Sequence, residues 1–571
     1  MKRPRLHTLQ RWLPFLAWPR PTGAVLRGDA VAGIAVGLMV IPQAVAYAAL
    51  AGMPLITGIY AALLPALVAV LFSASVRLSV GPTALTCLLV SASLAGLAEP
   101  GSTAWISLAV WLALLSGVMQ VVLGLVRFGW LLNLVSAPVL MAFTQGAALL
   151  IIASQAKALL GLRGEWSWTA LPAAIHLPAL AFGLAAVVFL RLARRWPSAF
   201  PSVLLLVVVS GALSAWSGFA EHGGAVVGWL PQGLPQGYLP DWPGWAVLGQ
   251  LLLPALVISL VSFLETASSA KADNAQRGQR WDQDQDLIGQ GLAKIASGLS
   301  GAFPTSSSFG RSALLLHGGA QTGWATVFSV VLVALAVLVL TPWLRFVPLS
   351  VLAAVVVVAV MGLLQPSAFV RLWAVSRVEA LIAAATLAIT VLTAPRLYWG
   401  VLAGVLMSLS HFLYLRLHPR IIEVGLHADG SLRDRHLWQL PPIAPATCAL
   451  RMDAALDFAT TSALEHAVSR YLSQHPDTRH LVLVAHPINW IDATGVEGFG
   501  RLRTQLKASG VTLHLVGIKL PVENVLRTAG HLADGPGLRL YRTEAETLRA
   551  APQWSRELEE HQEKRANPGE G

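Results

Sequence analysis

The chain has 571 residues, of which 55% are apolar and only 12% charged, too few charges for the surface of a soluble globule and enough apolar side chains for a bilayer to be the solvent. A net charge of +11 raises nucleic acid as a partner. The basic residues are scattered over short loops and an N-terminal stretch (Lys2, Arg3, Arg5, Arg11, Arg20, Arg27) rather than gathered on one face, which excludes that partner and fits membrane orientation instead.

Residues 1–28 read as a cytoplasmic N-terminal segment. The apolar run that follows contains Pro42 and Gln43 and shows no small-residue cleavage site, so it is read as a retained first span rather than a signal peptide. Apolar runs of spanning length lie near 29–49, 54–74, 105–126, 131–154, 178–195, 200–218, 247–270, 286–302, 322–341, 346–364, 379–394 and 397–416, placing a transmembrane domain at 29–418. Two further segments are too short to span, one opening at Gly81-Pro82-Thr83 and the other at Phe303-Pro304-Thr305. With both counted as passages, the inside loops hold Arg77, Arg127, Arg191, Arg194, Arg195, Lys271, Arg277, Arg280, Arg371, Arg377, Arg416 and Arg420. The outside loops hold only Lys157, Arg163, Arg345 and Arg396. That asymmetry puts both termini in the cytoplasm.

From 419 the charge density becomes that of a soluble protein. A connector at 419–444 precedes an α/β domain at 445–548, with strands at 448–453, 480–485 and 512–516, helices at 461–474 and 493–509, and a mainly parallel or mixed sheet. The charged tail at 549–571 is expected to be disordered. Cys87 and Cys448 are the two cysteines, and they suggest no disulfide framework. No cofactor, metal site or catalytic group is read from the sequence.

The two short segments point to function. A helix that begins in mid-membrane presents backbone N–H groups and a positive dipole end, an anion site wherever it faces a cavity. Each candidate opens on a proline and hydroxyls, Gly81-Pro82-Thr83 and Pro304-Thr305-Ser306-Ser307-Ser308, and paired interruptions in two halves mark a transporter's binding site. Either alone could be a Pro-kinked ordinary helix. Glu265 is a carboxylate in a membrane helix, a candidate for proton coupling, with Ser269 one turn on. Its alternative is a pairing with Lys271 or snorkelling to the interface. Arg311, two turns into the second short helix, could draw anions in or form a fixed ion pair.

Ile41-Pro42-Gln43-Ala44-Val45-Ala46-Tyr47-Ala48, Gly58-Ile59-Tyr60 and Val80-Gly81-Pro82-Thr83-Ala84 resemble, in order and spacing, the opening signature of the sulfate permease (SulP) family. The likeness continues through Ser262-Phe-Leu-Glu265, Asp286-Leu-Ile-Gly289-Gln290-Gly291 and Arg311-Ser312-Ala313. It ends in a segment similar to a STAS domain, whose signature Asp492-Ala-Thr494-Gly495 opens a helix. The resemblance implies a polytopic α-helical membrane protein of the uracil-permease/SulP type. Its fourteen segments form two inverted repeats of seven, with two short half-helices and a C-terminal α/β STAS domain, and core and gate domains move past one another as an elevator. It further implies a substrate site at Gln43, Tyr47, Thr83, Ala84, Ser308 and Phe309, with Glu265 and Ser269 coupling, and a homodimer. Tyr47 could instead be a packing residue. Thr494 matches a position phosphorylated in anti-sigma-factor antagonists, and otherwise would cap its helix.

Three departures stand out: Ser306-Ser307-Ser308 where the family often has Thr-Gly-Gly or Thr-Gly-Ser, and Leu315 and Lys294 where Asn is common. The expected function is secondary transport of a small anion, a sulfate-like oxyanion first, with bicarbonate or a C4-dicarboxylate as alternatives. The driving ion would be a proton or sodium, or transport would be by exchange. A uracil- or xanthine-type permease shares the fold. A different class, a regulatory membrane protein with a cytoplasmic protein partner at the STAS domain, would leave the costly Glu265 without a use.

Overall fold

The computed structural model describes residues 13–18, 21–162, 175–193, 195–196, 201–339, 341–532 and 537–566. Lys2, Arg3, Arg5, Arg11, Arg20, Arg163, Arg194 and the last five residues of the expected tail lie outside them. The chain divides into two compact units, Met1–Ser408 and Leu409–Gly571.

In the first unit, α1 (Gly23–Leu50) is capped by Thr22 and carries Pro42 inside it. The apolar run expected as one span at 54–74 is two helices, α2 (Leu55–Tyr60) and α3 (Leu64–Phe72). Pro65 sits in the first turn of α3, where it has no N–H to give and its ring would clash with the carbonyl four residues earlier, so the helix restarts there. A two-residue strand, β1 (Val80–Gly81), leads into the short helix α4 (Ala84–Leu94). Next come α5 (Thr103–Leu125), α6 (Ala137–Leu160), α7 (Leu177–Ala193) and α8 (Ser202–Trp216).

The second half repeats the pattern. The long helix α9 (Trp245–Gln276) and α10 (Gln283–Leu299) precede a strand, β2 (Ser306–Ser307), and another short helix, α11 (Phe309–His317). They are followed by α12 (Trp324–Val339), α13 (Thr341–Leu344), α14 (Leu349–Met361), α15 (Pro366–Val375), α16 (Arg377–Leu392) and α17 (Tyr398–Leu417). β1 and β2 pair antiparallel, Val80 opposite Ser307 and Gly81 opposite Ser306, so the two short helices anticipated from sequence begin at one crossing. Among the described residues, seven helical stretches are at least 18 residues long and apolar enough to cross a membrane, and four more apolar helices are shorter. α15 has no counterpart in the sequence reading. Its 10 residues include Arg371 and are none of them buried, so no spanning-length run announces it.

Close helix contacts fix this arrangement. A β-carbon on Gly58 would stand 1.9 Å from the carbonyl oxygen of Ala44, so α2 lies against the backbone of α1 beside Gln43. α5 meets α10 the same way: a β-carbon on Gly117 would be 2.7 Å from the Gly291 carbonyl oxygen, and one on Gly291 would be 2.6 Å from that of Gly117. Only glycine permits such approach.

The second unit is a six-stranded sheet in the order β4-β3-β5-β6-β7-β8, made of β3 (Ile421–Leu426), β4 (Leu432–Asp434), β5 (Thr447–Met452), β6 (His480–Val484), β7 (Thr512–Val516) and β8 (Leu538–Tyr541). β5 to β8 are parallel and β3 is antiparallel to both neighbours. Helices α18 (Thr461–Gln474), α19 (Ala493–Ala508) and α20 (Leu520–Thr528) fall between the strands, and Leu464, Phe499, Leu502 and Leu526 join Leu450, Leu483, Leu513 and Leu515 in one apolar cluster.

Two expectations are corrected here. The connector at 419–444 contains β3 and β4, a hairpin turned at Gly430 (φ 84°). It is tied by the pairs Arg420–Asp434, Arg433–Asp429 and Arg435–Glu423, and its many charges disguised the strands as linker. The tail is not disordered from 549. Helix α21 (Glu544–Ala566) continues through it, and Leu548, Ala551 and Trp554, three apart on one face, pack with Val482, Val484 and Val516. Three apolar residues are a weak signal in so charged a segment, yet Trp554 is fully buried.

Candidate functional site

The crossing of β1 and β2 is the centre of the site. Beyond the two-residue ladder, the Ser308 amide donates to the Ser79 carbonyl at 2.9 Å and the Ser79 amide donates to the Ser312 hydroxyl at 3.0 Å. The two short helices are thus locked start to start. α4 is capped by Thr83, while α11 opens on Ser308 with no side-chain cap. α1 contacts both short helices, and α9 contacts α4, α11 and β2. Four elements from both halves therefore meet where the free N–H groups of two helix starts lie.

α9 supplies the carboxylate. The Thr83 hydroxyl donates to Glu265 Oε2 at 3.2 Å, and the Ser306 hydroxyl donates to the Ser262 carbonyl at 3.1 Å, fastening the helix to the start of α4 and to β2. Lys271 is exposed and its ammonium lies 5.8 Å from the Trp281 ring centre, so the expected alternative pairing of Glu265 with Lys271 is not what forms. Ser269 is buried one turn on, its hydroxyl without a hydrogen-bond partner. Gln43 and Tyr47 are buried on α1, and Ala84 is buried at the first position of α4. Ser308 is half-buried, whereas Phe309 is 60% exposed. Arg311 is buried. Its Nε donates to the Ser79 hydroxyl at 3.1 Å and one terminal nitrogen has no partner, so it forms no fixed ion pair among the described residues. This chemistry, hydroxyls and helix starts around one cation and one carboxyl, suits a small anion.

Several polar groups have burial and partners that the sequence did not reveal. Lys294 is fully buried, its ammonium donating to Gln120 Oε1 at 2.8 Å. Arg77, read as a loop charge, is buried and paired with Asp273, which also pairs with Arg277 at 3.0 Å. Asp286 accepts from the Ser75 amide and hydroxyl and from Trp281 Nε1 at 3.0, 2.6 and 2.7 Å. Asp29 accepts from the Thr322 hydroxyl and from the Gln321 amide at 2.7 Å. Their signal was available only as charge inside or next to apolar helices.

In the second unit, Thr494 is exposed and does not cap α19. Asp492 does, accepting from the Gly495 amide at 2.7 Å, and it also accepts from the Phe458 amide at 3.0 Å. The alternative role expected for Thr494 is corrected accordingly: the helix starts at Ala493, so the residue before it, not after it, is the cap.

Interlocked half-helices from two repeated halves, joined to a separate α/β domain, define an inverted-repeat membrane transporter. Known proteins make the class specific. The model of the sulfate permease family matches residues 26–386, and that of the STAS domain matches residues 441–547. A probable sulfate transporter of Arabidopsis thaliana is 31% identical over 529 residues, covering 88% of this chain and 77% of that one. Another, of Mycobacterium tuberculosis, is 31% identical over 519 residues, covering 89% and 92%. The sodium-independent sulfate anion transporter of Bos taurus is 30% identical over 579 residues, covering 91% and 89%. The chain belongs to the sulfate permease family. Its fold is shared with murine solute carrier 26 family member A9, an anion transporter in the inward-facing state (TM-score 0.82, 20% identity, 94% of each chain). It is shared also with the transmembrane domain of the cyanobacterium bicarbonate transporter BicA (TM-score 0.59, 19% identity, 67% of this chain and 98% of that one).

Proposed function

We propose that the protein is a secondary transporter of a sulfate-like oxyanion, driven by a proton carried on Glu265. The observation that bears most weight is the β1–β2 crossing, which starts two helices at one point beside a carboxyl bonded to Thr83. Backbone N–H groups and hydroxyls receive the anion there, and Glu265, beside it, takes the co-transported proton. Relatives named as sulfate transporters over most of their length support the choice of cargo. In this reading α1, α4, α9 and α11 move as one body in an elevator step, because the ladder joins the starts of α4 and α11, Thr83–Glu265 and Ser306–Ser262 tie α9 to them, and α1 packs on both short helices. In this reading the chain sits in the inner membrane, and the distribution of arginines supports an N-terminus and STAS domain on the cytoplasmic side.

Proteoliposomes test it. Labelled sulfate, bicarbonate and succinate are offered with and without an inward proton gradient; sulfate is expected to enter fastest and to be accelerated by the gradient. No uptake of any anion would overturn the transport reading. In Glu265→Gln the acceleration should vanish, and its persistence would remove Glu265 from the coupling role.

A further inference from the structure

We propose that Lys294 makes this a site for doubly charged anions, acting with Arg311 as one of two buried cations that a divalent oxyanion neutralises. The inference rests on the transport reading above and names its substrate class.

Lys294 and Arg311 are both buried, at 0% and 2% exposure. Neither forms an ion pair among the described residues. Lys294 is held by a neutral amide, Gln120, and Arg311 by a neutral hydroxyl, Ser79, with one terminal nitrogen left unpartnered. Both are built into the crossing. Gln120 Nε2 donates to the Ser259 carbonyl at 2.7 Å and to the Ser262 hydroxyl at 3.1 Å, and the Ser262 carbonyl accepts from Ser306 of β2. Arg311 reaches β1, its terminal nitrogen 3.5 Å from where a β-carbon on Gly81 would be. Lys294 is thus one amide away from the turn of α9 that carries Glu265.

Elsewhere among the described buried charges, Asp29 is held by the neutral Thr322 hydroxyl and Gln321 amide, while the arginines next to α9 are matched. Arg77 and Arg277 share Asp273, and Asp286 is joined to them through Ser75 and Asn274. Arg311 at the crossing and Lys294 one amide behind it share a single carboxyl, Glu265, with Tyr47 and Cys87 as the other titratable neighbours of Arg311. With Lys294 and Arg311 both charged, the net charge is positive by one when Glu265 is ionised and by two when it carries a proton. A buried cation without a counter-charge is costly, and in a poorly polarisable interior its field reaches beyond contact distance. A dianion gains twice what a monoanion gains from that field, and a dianion with a protonated Glu265 leaves the loaded site neutral. Lys294 does not touch the anion. It selects by charge alone.

The test is the ratio of kcat/KM for sulfate to that for chloride and nitrate in proteoliposomes at fixed pH, for the full chain and its variants. Lys294→Met should lower the ratio by about tenfold or more, while Lys294→Arg keeps it. Gln120→Glu is the second variant: it leaves the lysine in place but pairs its charge across the 2.8 Å contact, and the same fall is expected. A purely structural role for Lys294 would lower all anions together in Lys294→Met and spare the ratio in both neutralising variants; that result overturns the proposal. A wild-type protein that carries chloride and nitrate but not sulfate overturns it too while leaving transport intact, whereas one that moves no anion refutes the transport reading itself.

Discussion

Replacing Thr83 by Val should cost most of the transport activity, and the reason is a count of protons. The Thr83 oxygen lies 3.4 Å from the Thr86 amide, 3.0 Å from the Thr86 hydroxyl and 3.2 Å from Glu265 Oε2. A hydroxyl has one proton to give and two lone pairs. When Glu265 is ionised it takes that proton, and Thr83 accepts from both Thr86 groups; every valence is then used. Val is similar in shape but removes all three interactions. The lost cap is worth about 1 kcal/mol and the lost hydrogen bond to a charge about 2 kcal/mol. Together they correspond to on the order of 100-fold in sulfate uptake, measured as initial rates in proteoliposomes at matched protein content. Thr83→Ser restores the hydroxyl and should remain within a few-fold of wild type. In a Glu265→Gln background the share of the loss owed to the carboxylate disappears, so Thr83→Val should cost about tenfold or less there. An undiminished loss in that background would refute the proton count, and wild-type uptake by Thr83→Val would refute the site.

Three other outcomes are expected. Gly58→Ala forces a β-carbon to within 1.9 Å of the Ala44 carbonyl oxygen, so α2 must move away from α1 by more than about 1 Å. Uptake should fall on the order of 100-fold with the protein still folded and inserted, as read by size-exclusion profile and rate. His514 is buried against His480, Tyr541 and Trp554, and that burial, with the charges of His480 and Arg539, lowers its pKa from 6.5 to about 3. Its folded value lies below its unfolded one, so the stabilisation is fully present above about pH 6.5 and is lost as pH falls. Going from pH 7.5 to 5.5 should cost the second unit about 1.4 kcal/mol, seen as faster hydrogen exchange of β7 in the full chain and flattened by His514→Leu. Asp492→Ala should destabilise the same unit by about 1 kcal/mol, while Thr494→Ala leaves its exchange unchanged; the reverse pattern would contradict the capping geometry.

The parts of this molecule legible in sequence are those governed by local composition. Spanning helices announce themselves by length and apolarity, and the two short helices by Pro82 and Pro304 before hydroxyls. The parallel strands of the second unit stand out as buried runs, His480–Val484 and Thr512–Val516 among them. Glu265 and Gln43 could be singled out because polar groups in a membrane helix are expensive. What was not legible is pairing at a distance. The lone Lys294 finds its partner, Gln120, 174 residues away, and Arg77 finds Asp273 at a separation of 196. No spacing rule connects such residues before the fold does. The tail and connector were misjudged for another reason: charge density says that a segment is wet on one side and nothing about a single tryptophan on the other.

The ladder between Val80 and Ser307 also has a consequence for how the protein is made. A ribosome delivers Thr83 to the membrane long before Glu265, which follows 182 residues later, and Ser79 still longer before Ser312, at a separation of 233. During that interval the start of α4 has no partner strand and no carboxyl, and its open N–H groups have to be sheltered from lipid by the insertion machinery or by water. The first half is therefore an incomplete product wherever synthesis stops early, and the last step of assembly is the arrival of the segment that closes the crossing. Substitutions that slow this late pairing would lower the amount of mature protein before they touched its rate of transport.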